Sequence, residues 1–243
     1  MTLTPLTRLF LAATITTVGV TAGCSTNGSE VDVTLAPHAY RADFGAASGI
    51  VPTVACASAA ATACGAGQAL REATSTDDSA DDVNVDVRCD PEIDRCFAQA
   101  LARLPYELDV MRDDAFVAKV EQRPAVVVRS IDLAYTLPVN TLTFDVPRID
   151  VYVGPSGTKT EADHGVVLLD SISPVAAGAT FVDEGRHVRL VEGSAAYTRI
   201  VKTIEAKQSF VFLVVAIPRL AAGAPLPAGR FEVDIFPTVS LDL

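Results

Sequence analysis

Val126-Val127-Val128-Arg129-Ser130-Ile131-Asp132-Leu133-Ala134-Tyr135-Thr136-Leu137 decides the fold. From Ile131 onward, Ile131, Leu133, Tyr135 and Leu137 alternate with Asp132, Ala134 and Thr136, the period-2 spacing that turns one face of a strand to a core and the other to solvent. The valines ahead of it run on the opposite parity. A bulge or a change of sheet is therefore expected at Arg129-Ser130, because one extra residue flips every following side chain.

The same character continues outward from this stretch. Leu142, Phe144 and Val146 share one face, but after Pro147 the apolar positions become Ile149, Val151 and Val153, which predicts a kink or an edge strand at the proline. Gly154-Pro155-Ser156-Gly157 is turn chemistry, as is Pro174 with Gly178. Val166 to Leu169 reads as a buried strand and Val188 to Leu190 as a further short one. Ser194 can cap a helix with Ala196, Tyr197, Ile200, Val201 and Ile204 on one face and Arg199, Lys202 and Glu205 outside. Phe210 to Ile217 is apolar on both faces and only long enough for a central strand. In the last stretch Phe231, Val233, Ile235, Val239 and Leu241 point one way.

These readings predict a mainly β protein: an antiparallel two-sheet sandwich, immunoglobulin-like in outline, over residues 122–243, with one or two short helices. An α+β arrangement is the alternative. Residues 31–121 form a different segment, rich in Ala and Gly up to Glu72 and carrying the acidic stretch Thr76 to Asp82. A short helix is expected near Gln68–Ala73. The alternation Val83-Asn84-Val85-Asp86-Val87 predicts a half-buried strand, and Phe97, Leu101 and Leu104 at helical spacing predict a helix stopped by Pro105.

Cys56, Cys64, Cys89 and Cys96 fall in this segment, an even set read as two disulfides. Their spacing leaves all three pairings open: the local one, Cys56 with Cys64 and Cys89 with Cys96, and two crossed ones. A zinc site is the rival, disfavoured because no C-x-x-C spacing is present.

The beginning of the chain has an export layout: Arg8, the apolar run Leu9-Phe10-Leu11-Ala12-Ala13, then small residues ending in Thr21-Ala22-Gly23-Cys24. These last four resemble the bacterial lipobox, with Thr21 where the family usually has leucine. The resemblance implies a signal peptide over residues 1–23, cleavage between Gly23 and Cys24, and a diacylglycerol thioether on Cys24 that anchors the chain in a membrane. Two or three acyl chains suffice for stable anchoring. Ser25 follows, not Asp, which by the sorting rule of enteric bacteria points to the outer membrane. Residues 24–30, Cys24-Ser25-Thr26-Asn27-Gly28-Ser29-Glu30, read as a flexible tether.

A formal net charge of −11 argues against nucleic acid as a partner, since phosphate binding needs clustered Lys and Arg. The absence of tryptophan weighs against a stacking platform for sugars or bases. Asp77, Asp78, Asp81, Asp82 and Asp86 are the one candidate Ca²⁺ set, without the spacing of an EF-hand. His38, His164 and His187 belong to no HExxH or HxH pattern. No GxSxG elbow or Gly-rich phosphate loop is present, and no cofactor is expected. The functional expectation is a non-enzymatic cell-envelope lipoprotein that is structural or binds another envelope protein. A Ca²⁺ or small-ligand module is the alternative, and a hydrolase with an unrecognised site the third reading.

Overall fold

The computed structural model describes residues 30–45, 49–55, 64, 70–73, 82–123, 125–182 and 186–242. The lipobox, the tether before Glu30, Cys56, and Asp77, Asp78 and Asp81 lie outside them. Two antiparallel sheets pack face to face. The five-stranded sheet has the order β1 (Glu30–Thr34), β12 (Arg230–Asp242), β6 (Val127–Asn140), β9 (His187–Val188), with β2 (His38–Asp43) beside β1 along β12. The seven-stranded sheet runs β3 (Leu70–Ala73), β4 (Asp82–Asp90), β5 (Arg95–Asp109), β10 (Ser209–Ala216), β7 (Ile149–Pro155), β8 (Val167–Ile172), with β11 (Arg219–Ala221) on β5. The sandwich expectation holds, and strands from the 31–121 segment are hydrogen-bonded into both of its sheets.

The core follows the alternation. Leu133, Leu137, Ile235, Val239 and Leu241 of one sheet meet Leu104, Ile149, Val151, Phe210 and Phe212 of the other, all fully or nearly fully buried. β10 is the central strand expected: β5 pairs with it on one side and β7 on the other. The bulge expected at Arg129 is present, since Ser240 opposes Ser130 while Leu241 opposes Val128. At Pro147 the chain leaves the neighbourhood of β6, bridging Val146 to Val175, and enters the second sheet as β7, which explains the parity change.

Three expectations need correction. Phe97–Leu104 is not helical but the middle of the 15-residue β5. Cys96, Ala98, Ala100, Ala102 and Leu104 are all buried, so the period is 2, carried by alanines too small to advertise it. Pro105 is tolerated because β4 begins only at Asp82, opposite Arg103, and no described strand pairs with that edge of β5 beyond it. Leu70–Ala73 is likewise a strand, paired with β4. Val167–Ile172 is an edge strand, not a buried one, with Leu168 46% exposed.

Helix α2 (Ala195–Glu205) forms as the periodicity predicts. The Ser194 hydroxyl accepts the Tyr197 N–H at 3.1 Å, a cap worth about 1 kcal/mol, and Ala196, Ile200 and Ile204 are buried. It also guards a sheet edge: Glu205 accepts the Val128 N–H and the Tyr197 hydroxyl donates to the Arg129 carbonyl. Polar side chains on the main chain of an exposed edge deter pairing with another strand. The short helix α1 (Asp114–Val120) packs on β1 after a single 3-10 turn (Val110–Arg112). Among the described residues no helix is long and apolar enough to cross a membrane.

Candidate functional site

The sandwich has two distinct ends. At one, β1 begins at Glu30 opposite Asp242, beside Val127, with α1 and the end of α2 nearby. At the other lie the β4–β5 hairpin tip, the segment around Val51 and the turn at Gly223, joined by the Val51 N–H to Ala224 carbonyl bond. β12, 13 residues long, runs from the second end to the first, about 40 Å at roughly 3.3 Å per residue.

The second end holds a cleft of ≈ 510 Å³ between the hairpin tip, β11 and Thr53. Ile93, Phe97 and Leu220 give it an apolar lining, and Ile50, Val54 and Ile93 are exposed aliphatic residues at this end. Arg219 stands with its guanidinium carbon 3.9 Å from the centre of the Phe97 ring and donates to Asp90 at 3.0 Å. Arg95 donates to the Thr53 carbonyl at 3.0 Å. Guanidinium groups stay protonated and cannot serve as bases, so this set offers recognition: apolar contact, stacking, and fixed donors to a carbonyl or carboxylate.

Disulfides fix the hairpin. Cys64 is bonded to Cys96, Cα atoms 5.6 Å apart, which excludes the local pairing of Cys89 with Cys96 even though those two stand directly opposite in the β4–β5 register. Cys89 is also disulfide-bonded, to a partner outside the described residues.

The other sequence candidates are scattered. His38 stacks on Tyr106, ring centroids 3.6 Å apart, and meets the edge of Tyr40, where it serves as packing at the margin between the sheets. His187 is exposed, its Nδ1 2.8 Å from Asp132, and His164 is exposed beside Asp163. Asp82 opens β4, and Asp86 pairs with Arg88 at 2.5 Å. Among the described residues no three His, Cys, Asp or Glu side chains group as metal ligands.

Ser156 to Lys159 has an S-x-x-K spacing. It sits in a turn, not on the first turn of a helix where the amine would lie over the hydroxyl. The Ser156 hydroxyl donates to the Glu107 carboxylate instead.

That turn opens a loop strapped across the outer face of the second sheet. Arg103 on β5 grips Glu161 with two bonds of 2.6 Å, spanning β10, whose Val211, Leu213 and Val215 lie buried on this outer face. The hydrogen bond from Arg103 holds the Glu161 carboxyl below its usual range. Asp163 is held at about 2, chiefly by the Thr160 hydroxyl and then by the Lys159 and Thr160 N–H groups.

Comparison with family models, with curated proteins and with solved structures found no significant match to this chain.

Proposed function

We propose that the chain is a lipid-anchored protein of the cell envelope with a non-enzymatic role, whose cleft binds a protein partner. The placement of the two ends carries the reading. The tether predicted for residues 24–30 would enter at the Glu30 end, while the cleft with Arg95, Phe97 and Arg219 opens at the other, about 40 Å away. The acidic balance of the chain, −11 over its full length, is repelled by anionic headgroups, which favours a cleft held away from the bilayer. Exposed Ile93 beside a stacked Arg–Phe pair has the composition of an interface centre, where aromatic, aliphatic and arginine side chains dominate the energy.

Disulfide mapping of the membrane-extracted protein tests the anchor. Of five cysteines, Cys64 and Cys96 are bonded to each other, so within the chain Cys89 can pair only with Cys24 or Cys56. A lipidated Cys24 leaves Cys56. A Cys89–Cys24 bond would sink the lipoprotein reading, as would a Cys24→Ser chain that still fractionates with membranes. For the partner, a photo-crosslinking residue at Ile93 should give one discrete adduct in intact cells, and the same probe at Leu168, exposed on the side of the sandwich, should give none. Equal labelling from both positions removes the binding role of the cleft.

A further inference from the structure

Cys96 has two cysteines within bonding range. It is joined to Cys64, and Cys89 faces it directly across the β4–β5 ladder. Opposed residues in an antiparallel pair have Cα atoms roughly 4.5–5.5 Å apart, inside the roughly 4.4–6.8 Å that disulfides span. Since Cys89 is itself bonded elsewhere, two disulfides meet at the hairpin end, each contributing one sulfur to a facing pair.

We propose that this site is a thiol–disulfide exchange relay: opening the Cys89 bond moves the hairpin's link from Cys64 to Cys89. Burial sets the order of events. Cys64 and Cys96 are 3% and 1% exposed and closed to an external thiol, whereas Cys89 is half-buried. A dithiol reductant attacks the half-buried sulfur of Cys89, forming a mixed disulfide there and releasing Cys89's partner as thiolate. The second thiolate of the reductant then attacks the first, closing a cyclic disulfide and expelling Cys89 as thiolate. Two electrons have passed to the protein.

The Cys89 thiolate next attacks the Cys96 sulfur. A Cys89–Cys96 bond forms, the Cys64–Cys96 bond breaks, and its electron pair leaves on Cys64, which takes a proton from water. This step is redox-neutral. Its consequence is structural: a staple closing a sequence separation of 32 is exchanged for one closing a single hairpin, which constrains the chain far less. Cys96 borders the cleft, so the exchange frees Cys64 from the cleft's wall. The relay is independent of what the cleft binds.

The test is partial reduction of the oxidised full chain with limiting dithiothreitol, acid quench, alkylation, and cleavage after arginine. Arg95 lies between the two cysteines, so the exchanged bond joins two separate peptides. The expected one-disulfide species contains Cys89–Cys96 with Cys64 alkylated. A one-disulfide species that keeps Cys64–Cys96 with Cys89 alkylated overturns the proposal, as does loss of both bonds together. In a Cys89→Ser chain, alkylation of Cys64 at the same dithiol dose should slow by about tenfold or more, because the attacking thiolate is gone. Equal rates in the two chains also overturn it.

Discussion

A methyl group at Gly229 would sit 2.1 Å from the Thr141 carbonyl oxygen, on a backbone with φ of +101°. Both the clash and the conformation oppose any side chain there, because β12 starts against the chain leaving β6. Gly157, at φ of +82°, has open space around it. Gly229→Ala is therefore expected to cost about 3 kcal/mol and Gly157→Ala only about 1 kcal/mol, read as the difference in urea midpoints at constant m. Equal losses would show that dihedral strain alone, and not the Thr141 contact, governs both turns. Asn140 supports the same junction from the inside. Its buried amide donates to the carbonyls of Ala176 and Ala179 at 2.9 Å, and its oxygen accepts the Leu142 N–H, so each polar atom of the side chain is satisfied within the core.

The strap over β10 ties part of the chain's acid stability to one loop. Glu161 and Asp163 both have carboxyl groups held below their ordinary values in the folded chain. A group of that kind stabilises the fold above its unfolded pKa and loses the contribution as pH falls through the folded one. For Glu161 the window lies below about pH 4.5, and for Asp163 it reaches down to about pH 2. Glu161→Gln should melt below the parent at neutral pH, and the two melting temperatures should converge as pH falls below about 4.5; a gap that stays constant as the carboxyl protonates would show that the Arg103 bond carries no titrating contribution. β6 and β12 were legible in the sequence because bulky residues recur at their inward positions, and β10 because it is an unbroken apolar run. β5 was not. Its inward positions include Ala98, Ala100 and Ala102, which favour helix by intrinsic propensity, and only pairing with β4 and β10 overrides that preference. The cleft was hidden for a related reason, since Phe97 and Arg219 become neighbours only once β11 has paired with β5.

Across the whole molecule, the two halves of the chain are interleaved. β12 lies between β6 and the pair β1 and β2, and β10 lies between β5 and β7, so residues 122–243 alone would leave their two most central strands each with one neighbour. That fragment is expected to lack a cooperative melt and dispersed amide resonances; a folded fragment would show that the sandwich stands without the strands that precede it. The interleaving also imposes a timetable. The Ser240 hydroxyl reaches Asp32 across 208 positions of sequence, and β1 has no partner strand other than β12 among the described residues. The five-stranded sheet therefore cannot close until residue 242 has left the ribosome, so a chain exported during its synthesis would meet the translocation channel with this sheet still open.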